Sequence, residues 1–232
     1  MLIAGYYLLL AALLALLFYG LHKSNLGDDF KKQYTRYLAI GAAVWLVYSF
    51  VLSATGFLQV FGFPPRIALC LVLPLFAWMA WFFLTDRHLY LVRAIPPAWP
   101  VGLQTFRIVV ELLLLGAFSE GFISKEPTLE GWNFDMLAGL SAPLLVYMVF
   151  NKRQWHAKAL RIWNWAGLAL LANVVLIFST LIVAPGLWGY EATPFRPEFG
   201  TMPYVLVAGA FMPVAVFLHI FSLAQLKRGI VQ

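Results

Sequence analysis

Along the chain, polar residues withdraw into short stretches and leave seven apolar runs, at 2–21, 37–61, 66–84, 101–118, 133–150, 162–184 and 202–226. A helix on the surface of a soluble core shows polar residues at every turn, and most of these runs do not. At 1.5 Å per residue, about 20 residues cross the roughly 30 Å of hydrocarbon in a bilayer. The pattern therefore predicts an all-α, polytopic membrane protein. Its seven transmembrane helices, joined by short connectors, form a single domain over 1–232. Prolines punctuate the series. Pro64 and Pro65 open the third run, and Pro96, Pro97 and Pro100 precede the fourth, where helices should stop or start. A half-length or re-entrant segment at 66–84 is the main alternative to a full third span.

Composition agrees with the pattern and charge orients it. Hydrophobic residues make up 62% of the chain and charged residues 11%, against about 25% charged in an average soluble domain. The mean hydropathy is +0.83, and no stretch is left for a soluble domain. Lysines and arginines gather at cytoplasmic helix ends. Here Lys23, Lys31, Lys32, Arg36, Arg87, Arg93, Lys152, Arg153, Lys158, Arg161, Lys227 and Arg228 lie after the first, third, fifth and seventh runs. The opposite side holds only Arg66, Lys125 and Arg196, and Arg107 lies within the fourth run. This places the N-terminus outside and the C-terminus in the cytoplasm. The pI of about 9.5 then reflects a basic membrane face suited to anionic lipid. The partner implied is the lipid bilayer, with no nucleic acid. The first run has no basic residue before it, so it reads as a retained helix rather than a signal peptide. Cys70 is the only cysteine, which excludes an intrachain disulfide and a thiolate metal cluster. Short connectors suit a bacterial inner membrane, with a eukaryotic membrane left open.

Seven runs also admit a repeat of three spans, a linking span and three more. Pro74 in "LVLPLFAWMAWFF" and Pro213 in "AFMPVAVFLHIFS" occupy similar depths, and Arg36 and Arg161 each precede the span that follows. The 3+1+3 arrangement is similar to that of the SWEET sugar transporters in architecture only, since no "PQ" motif is present. No proline of the first run matches Pro143 in the fifth.

The fourth run carries the chemistry. Gln104, Arg107 and Glu111 in "LQTFRIVVELLLLGAF" share one helical face. Each charge at a helix centre costs about 2.5–3.5 kcal/mol on insertion scales, so that face must point into the bundle. The i, i+4 spacing predicts an ion pair between Arg107 and Glu111. Asn173 in the sixth run is level with Glu111, Asn164 sits at the start of that run, and His219 lies near the depth of Arg107. Ser49 and Ser53 in the second run add hydroxyls, and Trp45, Trp78 and Trp81 supply aromatic walls. Trp163 and Trp165 are expected in the interfacial belt. Asn133 and Asp135, where the fifth run begins, read as a cap and a partner for the helix dipole.

Several chemistries are excluded. Every lysine lies in a connection or the tail, so no retinal Schiff base forms within a helix. The histidines His22, His88, His156 and His219 lack the spacing of a metal site, and no nucleotide or nucleophile motif occurs. No cofactor and no metal are expected. The reading is a membrane protein that binds or translocates a small polar or anionic solute, or protons. Arg107 would hold negative charge, Glu111 a proton or countercharge, and Gln104, Asn164, Asn173 and His219 would line the path. The alternative is a seven-helix sensor or partner-binding protein in which the pair is structural. An intramembrane enzyme using Glu111 and His219 comes third. Oligomeric state is not legible.

Overall fold

In a computed structural model, which describes residues 1–85 and 88–230, the chain is helical throughout and no strand occurs among the described residues. The seven principal helices are α1 (Leu2–His22), α2 (Asp28–Ala54), α3 (Ala68–Leu84), α4 (Ala98–Ser119), α5 (Met136–Asn151), α6 (Ala157–Val183) and α7 (Val207–Lys227). A short helix, Leu89–Ala94, lies between α3 and α4. Arg87, counted above with the basic loops, falls outside the described residues.

Five of these helices, α1, α2, α4, α6 and α7, are long and apolar enough to cross a membrane, as in a multi-pass membrane protein. The other two are apolar but shorter, with 17 residues in α3 and 16 in α5. Of the seven spans that the pattern predicts, five thus have a helix of spanning length. Prolines precede α3 and a polar turn precedes α5. The chain over 57–65 forms a 3-10 turn and bends before the helix of the third run starts, and Asn133, Phe134 and Asp135 precede α5 rather than belonging to it.

Burial shows which helices are central. About half of the apolar window is buried in α4 (50%) and α7 (56%), against 17% in α1 and 11% in α2. The central pair carries Gln104, Arg107, Glu111 and His219, whereas α1 and α2 present large apolar side chains such as Leu8, Leu16, Val44, Val47 and Phe50 to the surroundings. The principal core runs between α1, α4, α6 and α7, where Leu9, Leu13, Val110, Leu114, Leu171, Phe211 and Leu218 pack together. The Tyr6 hydroxyl donates to the Leu113 carbonyl at 3.2 Å and fastens α1 to α4.

Two helices are wound too wide at the start. In α3 and α7 the segments Ala68–Val72 and Val207–Phe211 are π-helical, with the Leu73 N–H bonded to the Ala68 carbonyl and the Met212 N–H to the Val207 carbonyl. Proline is the cause in each. Pro74 and Pro213 have no N–H to offer the carbonyl four residues earlier, which leaves Cys70 and Gly209 without their usual donors. Helix α2 supplies both. The Tyr48 hydroxyl donates to the Cys70 carbonyl at 3.1 Å, and the Trp45 indole N–H donates to the Gly209 carbonyl at 2.7 Å. A hydrogen bond of this kind contributes about 0.5–1.5 kcal/mol, so each donor ties α2 to a neighbour. Trp45, expected as an aromatic wall, is instead a hydrogen-bonding strut. Ser53 adds a third tie, accepting the Met202 N–H at 2.8 Å.

Candidate functional site

Helix α4 is interrupted once, by a turn at Gln104 and Thr105. Immediately after it, Arg107 and Glu111 face the bundle interior, each 1% exposed. They do not pair with each other. The Arg107 guanidinium forks onto Asp135, with Nε donating to Oδ2 at 2.7 Å and Nη2 donating to Oδ1. The helical spacing predicted Glu111 as the partner, and that expectation is corrected. A planar guanidinium is best matched by two parallel hydrogen bonds to one carboxylate. A carboxylate facing α4 from the head of α5 meets that geometry, and one on the same helix four residues away is not brought within ion-pair reach.

The third arm of Arg107 reaches α7. Nη1 lies 2.8 Å from His219 Nε2. Guanidinium nitrogens only donate, so Nε2 must accept, and the imidazole is neutral with its proton on Nδ1. That proton points at Asn164 Oδ1 on α6, 2.9 Å away. The Asn164 amide in turn donates to Ser222 Oγ at 3.0 Å and to the Leu160 carbonyl at 2.9 Å. Arg107, His219, Asn164 and Ser222 thus form one directed chain of donors across α4, α7 and α6, and Arg107 donates the other way to Asp135 at the head of α5. The indole of Trp163, expected at the interface, packs on His219 with ring centroids 5.0 Å apart and donates to Ser141.

Glu111 is held separately. The Asn133 amide donates to both of its oxygens, at 2.8 and 2.9 Å, and to the Pro127 carbonyl at 3.0 Å. Asn133 Oδ1 accepts the Asp135 N–H at 2.9 Å. Asn133 and Asp135 therefore do more than cap a helix. A tight turn aims both side chains inward, one at each ionisable residue of α4. Sequence reasoning had named both positions but assigned them to the helix end. The usable signal is stoichiometric: an arginine placed inside an apolar run requires a carboxylate, and Asp135 is the other acid that lies within one.

The remaining candidates separate. Gln104 is fully buried and donates to the Ala215 carbonyl at 3.0 Å, one turn below the ionic cluster. Asn173 does not line the interior. It is half-buried and donates to the Trp132 carbonyl at 2.8 Å, which secures the segment that delivers Asn133. The residue that faces the cluster from that stretch of α6 is Val174, one position on. Ser222, unremarked in the sequence, lies on the same face of α7 as His219 three residues earlier.

A glycine makes the approach of α6 and α7 workable. A Cβ at Gly167 would collide with the His219 ring at Cε1 and Nε2. Small residues let membrane helices approach closely, and here the closeness sets the imidazole between Arg107 and Asn164.

Beside the cluster lies a cavity of about 20 Å³, bounded by Arg107, Glu111 and Asp135 on one side and by Val174, Val207, Phe211 and Met212 on the other. A single water occupies about that space. Among the described residues, no three of His, Cys, Asp and Glu converge as metal ligands. Compared with family models, curated proteins and solved structures, the chain has no match.

Proposed function

We propose that this multi-pass membrane protein binds or translocates protons or a small hydrogen-bond-donating solute through the polar interior between α4, α6 and α7. One observation carries the reading. The buried cluster contains two carboxyl groups, Glu111 and Asp135, but one guanidinium, and His219 is held neutral. Asp135 already neutralises Arg107, which argues against the anion-holding role expected of the arginine. Glu111 is left with one amide donor group and a water-sized cavity beside it. It is the group free to take up and release a proton. Intramembrane ionisable residues with such partners are functional candidates by default.

The test is proton flux in vesicles under an imposed potassium diffusion potential. Glu111→Gln keeps the size and the Asn133 contact but removes the titrating group. Flux is expected to fall by at least about tenfold, in line with what a positioned proton carrier contributes, with thermal stability retained. Parent-level flux in a folded Glu111→Gln protein rejects the proposal. It would favour the structural reading, in which Arg107, fully coordinated by Asp135 and His219, simply clamps three helices together.

The proposal includes seven membrane crossings, with α3 and α5 as short ones, an external N-terminus, a cytoplasmic C-terminus and residence in a bacterial inner membrane. The distribution of basic residues supports the orientation, and modest bilayer thinning accommodates short helices. Single cysteines introduced near residues 25, 90 and 155 in a Cys70→Ala background should label from the cytoplasmic side, and those near 125 and 195 from outside. A residue 90 that labels with 125 overturns the seven-crossing assignment.

A further inference from the structure

A second, larger cavity of about 110 Å³ lies at the start of α3 and α7, against the last half of α6. Its walls are almost wholly apolar. Ala68 and Val72 line one side, Phe178 and Ile182 the other, and Phe195 and Phe199 close the end. Three further residues, Val174, Val207 and Met212, line this crevice and also line the small cavity at Glu111. One layer of side chains therefore separates an apolar crevice from a buried carboxylic acid. Met212 is unbranched and adaptable, and Val207 opens the π-helical segment, a local irregularity that recurs at functional sites.

The volume suits a small apolar group, since a dry cavity of about 150 Å³ accepts benzene. The polar end is selective by charge. The cluster holds two acids against one guanidinium and a neutral imidazole, so its imbalance is matched by a cation that donates hydrogen bonds. A carboxylate would meet Glu111 and Asp135 as a like charge. We propose that the crevice and Glu111 form one binding site for a small amphiphilic primary amine. The hydrocarbon lies in the crevice and the ammonium group reaches past Met212 to Glu111. The proposal names the solute class of the function proposed above, and it rests on that reading of Glu111.

The experiment compares three six-carbon probes, hexylamine, hexanol and hexanoate, by calorimetric titration of the protein in lipid nanodiscs against empty nanodiscs. Saturable hexylamine binding is expected, at least about tenfold tighter than hexanoate. Glu111→Gln should remove that preference, leaving the amine and the alcohol alike, and Ala208→Phe, which fills the crevice, should abolish binding of both. Non-saturable uptake equal to that of empty nanodiscs means that the crevice holds only bulk acyl chains and overturns the inference. So does equal binding of amine and carboxylate, or amine binding that survives Glu111→Gln. Because the head-group series is read on the unaltered protein, the test stands even if Ala208→Phe fails to fold. Absence of amine binding together with flux that depends on Glu111 defeats this inference alone. Amine binding with flux indifferent to Glu111 defeats the translocation reading instead.

Discussion

Replacing Arg107 with methionine is expected to destabilise the protein by about 3–5 kcal/mol, the usual result of stranding one member of a buried ion pair. The loss arises mainly at Asp135, which is 5% exposed and takes both of its side-chain hydrogen bonds from the guanidinium. A second substitution shows which acid is the true partner. Arg107→Met with Asp135→Leu removes both charges of the fork and should recover most of the lost stability, because a well-packed apolar pair often replaces a buried ion pair at little cost. Arg107→Met with Glu111→Leu removes the pair suggested by helical spacing but leaves Asp135 uncompensated, so it should stay near the single mutant. Denaturant titration in detergent, with the two double variants side by side, gives the ranking. Equal recovery in both would mean that Glu111 and Asp135 share the guanidinium.

Gly167→Ala is the second large effect expected. One methyl group would occupy the place of the His219 ring, and a packed interior has no slack to absorb it. The imidazole must move away from Arg107 Nη1 and Asn164 Oδ1. Overpacking costs about 1–3 kcal/mol, and a broken buried hydrogen bond adds about 1–3 kcal/mol. The control is a double-mutant cycle. In a His219→Ala background the ring is gone, and the same glycine substitution should cost less than about 0.5 kcal/mol. A penalty that persists there would place the clash elsewhere along α6.

Much of this architecture is legible in the order of residues, and for definite reasons. The apolar runs are read from hydrocarbon thickness alone, and α1, α2, α4, α6 and α7 answer to them. The inward face of α4 follows from the cost of exposing Arg107 and Glu111 to lipid, and both are buried. What spacing cannot give is the partner. An i, i+4 rule describes an isolated helix, where no competing carboxylate exists. In the folded bundle Asp135 arrives from 28 positions away with better geometry, and Asn133 takes Glu111. Asn173 is expected level with Glu111, but a helix has a direction as well as a height. Its amide points to the connection before α5, and Val174 turns to the cluster. The fifth run starts at Asn133 in the sequence but its helix starts at Met136, because hydropathy averages across the polar turn that precedes it.

The two struts from α2 reach past their own contacts. Cys70 and Gly209, the carbonyls they serve, lie in the π-helical starts of α3 and α7, and those same segments contribute Ala68, Val72, Val207 and Ala208 to the apolar crevice. Helix α2 contributes no wall to the crevice, yet it grips both of its lips. The gap is therefore gauged from outside, as a span is held by its ties. Trp45, whose indole is one of those ties, is the natural optical gauge of the opening.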